Sequence, residues 1–131
     1  MVLQPASHRA ARHDNSNALK RFFAIADVWE LSPLQQCRLL HIPSPQVLAR
    51  YRLGQAPRLS ANQQERAALI ASVQQSLMAE SGLADRTWAW VHTPQEVPPF
   101  SGDSPLYFML EKGLPALREV ARLLVRESEP R

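Results

Sequence analysis

Apolar residues recur along this chain at three- and four-residue steps, the period of one face of an α-helix, and nowhere at the two-residue step of a strand. Leu19, Phe22, Phe23, Ile25, Ala26 and Trp29 form the first broad apolar face, on a helix expected to start near Asn15 or Ser16. The next starts are marked by capping residues. Ser32 precedes Pro33, with Gln35 placed to complete a capping box, and Leu34, Cys37, Leu39 and Leu40 follow. His41 to Pro43 read as a tight turn, and Ser44-Pro45 repeats the start signal. That third helix carries Val47, Leu48 and Tyr51 and stops at Gly54. Ser60 and Gln63 open a long fourth helix with Leu69, Ile70, Val73, Leu77 and Met78 on its apolar side and Gly82 at its end.

The final third predicts a short helix around Trp88 to His92, then a segment from Thr93 to Gly102 too rich in proline for regular structure. Ser104-Pro105 starts a helix stopped at Gly113. Pro115 starts the last helix, with Leu114, Leu117, Val120, Ala121 and Leu124 on one face. The fold class is all-α, in three parts: a basic, flexible arm over residues 1–14, a helix-turn-helix module over 15–80 and a small helical module over 83–131.

Charge sharpens this division. Residues 1–58 hold eight basic groups against three acidic ones, whereas residues 59–131 hold seven against nine. A basic N-terminal half points to a polyanion as its partner, with plain solubility as the competing explanation. The single cysteine, Cys37, excludes an internal disulfide and a multi-cysteine zinc site, and suits a reducing cytoplasm. No stretch reaches the ~20 apolar residues that span a bilayer, so no membrane role is expected.

Two short, separately capped helices joined by a three-residue turn have the layout of a helix-turn-helix. Cys37 is small enough for the helix crossing, His41 tolerates a left-handed turn, and Ile42 and Val47 are apolar anchors beneath it. On this layout Ser44 and Gln46 reach base edges of operator DNA, and Arg50 and Arg52 reach phosphates or guanine. Lys20, Arg21 and the arm add attraction that is independent of sequence. The competing reading is a helical bundle in which the Ser-Pro pairs are helix starts and nothing more.

Cys37 and His41, four residues apart, could share a helical face, but Cys37 falls on the apolar side of a short helix, where a thiol is packing; His92 with Asp103 and Ser104 lacks any recognised spacing. There is also no glycine-rich phosphate loop. The chain reads as a non-enzyme without a cofactor or a metal. The helix from Pro105 to Lys112 is apolar all round, which leaves one of its faces as a candidate partner surface. Trp90, Phe100, Leu106, Tyr107 and Met109 are the candidates, with a core role open for each. Arg126 and Arg131 bound a charged tail suited to a partner's cleft, or to solvent alone.

Trp90, Pro94, Gly102, Pro105-Leu106, Gly113 and the helix through Val120, Leu123 and Leu124 follow one another in an order that resembles the toxin-binding domain of the Xre/MbcA/ParS antitoxin family. With the helix-turn-helix, the resemblance covers roughly residues 16–126. His41 stands where the family usually has glycine, and the loop from Pro94 to Phe100 is longer and richer in proline. The resemblance implies a partner of the RES toxin type, related to ADP-ribosyltransferases and consuming or transferring from NAD. The antitoxin blocks that toxin's active site and represses its own operon, as a homodimer or a higher hetero-oligomer with the toxin. The rival readings are a stand-alone helix-turn-helix regulator whose last third dimerises, and a scaffold that binds neither ligand.

Overall fold

The computed structural model describes the backbone of residues 5–128 and the side chains of residues 16–127. Seven helices account for most of it: α1 (Pro5–Val28), α2 (Pro33–Leu40), α3 (Pro45–Arg52), α4 (Ala61–Ser81), α5 (Ala84–His92), α6 (Pro105–Lys112) and α7 (Leu114–Ser128). No strand occurs among the described residues, so the fold is all-α.

The capping signals are realised. Ser32 and Ser60 each form a reciprocal capping box, with Gln35 and Gln63 respectively. Ser44 and Ser104 accept from the backbone amides of Val47 and Tyr107. Each of these bonds satisfies an amide that the first helical turn leaves without a partner.

Three boundaries differ from the sequence reading. Helix α1 begins at Pro5, ahead of Asn15, so the expected arm is helical from that point. Ala6, Ala10, Ala11, Arg9 and Arg12 favour helix by propensity without an apolar face to announce it. Helix α5 begins at Ala84, before Trp88, because its inward face is carried by only Thr87 and Val91. Helix α7 begins at Leu114, with Pro115 inside its first turn.

Helix α4 is the axis of the molecule, packing on α1 and α2 from one half and on α5 and α7 from the other. Ile70 and Val73 of α4 are fully buried, as are Trp29 and Leu40 before it and Val91, Leu117 and Val120 after it. They belong to one continuous core. Helix α6 lies against α2, α5 and α7. It buries Pro105, Leu106, Phe108 and Met109, half-buries Leu110, and leaves Tyr107, 52% exposed, outside with Glu111 and Lys112. Of the candidate partner face on α6, that three-sided packing closes off Leu106 and Met109 and leaves Tyr107 exposed.

Candidate nucleic-acid and partner interface

The helix-turn-helix is built around one left-handed residue. His41 closes α2 at φ 58°, ψ 51°, and the Ile42 amide then donates back to the Cys37 carbonyl at 2.9 Å. This backward bond is the usual closure of a helix by a left-handed residue. The His41 carbonyl accepts from Gln63 Nε2 at 3.1 Å, while Gln63 Oε1 accepts the Ser60 amide at 3.0 Å. One glutamine thus caps α4 and pins the turn. Ile42 is buried and Val47 half-buried beneath it. Cys37 is buried at the crossing, and burial pushes its thiol above the ordinary range, which suits a packing role.

The four residues read as DNA contacts separate into two groups. Gln46 and Arg50 are exposed on the outer side of α3. Ser44 is half-buried at the N-cap, and its Oγ is engaged with the Val47 amide at 3.3 Å. Arg52 turns inward. Its Nη2 donates to Asp27 Oδ1 at 3.0 Å and to Gln36 Oε1 at 3.2 Å, and the guanidinium stands 4.4 Å from the centre of the Phe23 ring. Two residues along a helix amount to about 200° of rotation, so Arg50 and Arg52 face different ways. Arg52 orients α3 against α1 and α2.

The partner candidates also separate. Phe100, Leu106 and Met109 are core residues and offer a partner no surface. Phe100 is wedged edge-on between Trp90, at 5.8 Å, and Phe108, at 5.5 Å. Trp90 is half-buried, pinning the proline-rich loop through Phe100. That loop is clasped at its base by Gly102 N to Gln95 O at 2.8 Å and Gln95 N to Asp103 O at 3.1 Å. Tyr107 and Arg126 face solvent, and Arg131 lies outside the described residues. Trp88, not among the candidates, is 39% exposed and tilted against His92 at 5.1 Å.

Polar bonds tie the helices to one another, within and between the two halves. Arg38 of α2 donates to the Leu110 carbonyl and pairs with Glu111, both at 3.2 Å. Arg66 of α4 donates to the Arg38 and Leu39 carbonyls at 3.3 and 3.2 Å. A cation there satisfies carbonyls that the end of α2 leaves open. Burial lowers the Arg66 guanidinium below its ordinary value. On the other side, Trp29 Nε1 donates to Gln74 Oε1 at 2.7 Å, and Gln74 Nε2 donates to Thr87 Oγ1 at 3.2 Å. His92 Nε2 donates to the Trp29 carbonyl at 2.7 Å. These partners were not singled out from the sequence. Their signal was present: Gln74 lies on the same helical face as Ile70, Val73 and Leu77, and Gln36 on that of Leu39 and Leu40. A polar residue on an apolar face is normally there to bond.

Cys37 is buried packing, and His92 is hydrogen-bonded to Trp29. Among the described residues no group of His, Cys, Asp and Glu has the arrangement to hold a metal ion. No described helix is long and apolar enough to cross a membrane.

Residues 9–72 match the family model of the antitoxin Xre-like helix-turn-helix domain. The match spans α2, the His41 turn and α3, and ends within α4. No curated protein and no solved structure matches the chain. The geometry and the match support a role as an antitoxin or DNA-binding regulator, with DNA and a toxin as the general classes of partner.

Proposed function

We propose that this protein is the antitoxin of a RES-type toxin, which it neutralises by direct binding that occludes the toxin's active site. The observation that carries the reading is the antitoxin-type helix-turn-helix fastened by Arg38, Gln74 and the Trp29 carbonyl to a helical layer whose motif order resembles the family's toxin-binding domain. Residues 15–80 are the DNA-facing module and 83–131 the toxin-facing module. The chain supplies no catalysis; the NAD chemistry belongs to the partner, in the cytoplasm.

On the toxin side, Tyr107, Arg126 and the edge of Trp90 are the contacts. The tail from Arg126 enters the partner's pocket, where a basic group complements the pyrophosphate of a dinucleotide. On the DNA side, Gln46 and Arg50 face the major groove of the operator, Ser44 sets the start of α3, and Arg52 holds the helix at its angle. Lys20 and Arg21, exposed on α1, lie in the same basic half. A homodimer, alone or within a larger complex with toxin, presents two copies of α3 to two half-sites.

The test is co-purification with the product of the adjacent reading frame, combined with a mobility shift on the DNA upstream of the pair. Capture of that product and a shifted promoter support the reading. A shifted promoter with no captured product favours a stand-alone regulator instead.

A further inference from the structure

Leu53 is the most exposed large apolar side chain described, at 75%. A single exposed leucine is ordinary on a protein surface and means nothing alone. Its position is what matters. At 100° per residue, Gln46, Ala49, Arg50 and Leu53 fall within about 100° of arc on α3 and its cap, and all four are exposed. Leu48 and Tyr51, buried, occupy the far side. Leu53 is held in register because its amide donates to the Ala49 and Arg50 carbonyls at 3.2 and 3.1 Å. The outward face of the second helix of the helix-turn-helix is therefore an apolar strip, Ala49 and Leu53, flanked by one amide and one guanidinium.

We infer that this strip reads thymine methyl groups in the operator, so that Leu53 and Ala49 are specificity-determining residues beside Gln46 and Arg50. The inference rests on the DNA-binding reading proposed above. In the major groove thymine alone among the four bases presents a methyl group, and apolar side chains recognise it by contact. From Gln46 to Leu53 the helix rises about 10 Å, against 3.4 Å per base pair, so the face covers about three steps. Arg50, exposed and with no ion pair among the described residues, is the one cation on this arc. The half-site is accordingly one in which thymine lies within three base pairs of the guanine or phosphate met by Arg50.

The experiment uses the full chain and two duplexes carrying the DNA upstream of its own reading frame. One is natural; the other has deoxyuridine in place of thymidine, which removes the methyl groups alone. Each methyl buried against leucine is worth about fourfold in affinity. Wild type binds the natural duplex at least that much more tightly, and Leu53→Ala loses most of that preference, keeping only what Ala49 contributes. The substitution is at an exposed cap, so an unchanged thermal midpoint verifies that the variant is folded. A wild type indifferent to the methyl groups, or a Leu53→Ala variant that keeps the preference undiminished, overturns the inference and leaves DNA binding standing. A wild type that shifts neither duplex overturns both. Unchanged DNA binding by Leu53→Ala together with lost self-association or lost toxin capture assigns the strip to a protein interface instead.

Discussion

The indole Nε1–H of Trp29 donates to Gln74 Oε1 at 2.7 Å, across 45 residues of chain. Trp29 has no solvent exposure, so this donor has no access to water if Gln74 is lost. The same tryptophan takes His92 on its carbonyl, and Gln74 continues to Thr87. The end of α1, the middle of α4 and both ends of α5 are thereby joined through one side-chain network. Gln74→Ala, which leaves the indole unpaired, should destabilise the fold by about 1–3 kcal/mol. Urea unfolding checks this. The loss should appear at once in fluorescence and circular dichroism, because the bond lies within one continuous core shared by both halves.

Arg50 and Arg52 should behave differently although they are two residues apart. Arg52→Ala removes an ion pair to Asp27 and a ring contact to Phe23, costing about 1–2 kcal/mol of stability. Arg50→Ala touches no such partner and should leave the thermal midpoint nearly unchanged, within about 0.5 kcal/mol. It should weaken operator binding by about tenfold. Paired melting and mobility-shift titrations separate the two effects.

His41 occupies a left-handed conformation that costs a side chain about 1 kcal/mol relative to glycine. Its ring is exposed, and its carbonyl bond to Gln63 does not depend on the side chain. His41→Gly should therefore be neutral or stabilising by up to about 1 kcal/mol. His41→Val, which is β-branched, should destabilise by about 1–2 kcal/mol. Thermal melts of the two variants give the comparison.

The acid limb of stability should carry the signature of Glu65. The hydrogen bond from Arg118, at 2.6 and 2.8 Å, and then its charge hold the Glu65 carboxyl below its ordinary value of 4.5. The folded state thus binds the proton less readily than the unfolded chain. The stabilisation is complete above about pH 4.5 and is lost as the pH falls through the lower folded value. Glu65→Gln should flatten the pH dependence in that window and leave neutral-pH stability little changed, because the pair is exposed and screened by salt. Unfolding midpoints across the acid range measure it.

The tail proposed to enter the toxin has its own test. Truncation after Val125 removes Arg126 and all that follows while leaving the buried Leu117, Val120 and Leu124 in place. Neutralisation should weaken with the fold retained. Full protection by the truncated chain would dissociate the tail from the function.

Much of the fold was legible in the chain because its helices announce themselves by Ser-Pro caps and glycine stops. The turn at His41 was legible for the same reason. Position on a helix was harder to turn into function. Arg52 and Arg50 look equivalent in the chain, and only the packing of α3 against Asp27, Gln36 and Phe23 separates them. Met109 and Tyr107 likewise diverge because α2, α5 and α7 close around α6. Sequence periodicity cannot report how many neighbours a helix has. Helix α1 was shortened in the reading for a different reason: its first turns follow propensity and carry no apolar face.

The measurement that bears most directly on the antitoxin reading is made in growing cells. The adjacent reading frame is expressed alone and together with this chain, and growth and cellular NAD are followed. Arrested growth with falling NAD, both restored by co-expression of the wild-type chain and less well by the chain truncated after Val125, is the predicted result. A neighbour that neither slows growth nor lowers NAD, or one whose effects persist when this chain is co-expressed, would contradict the account.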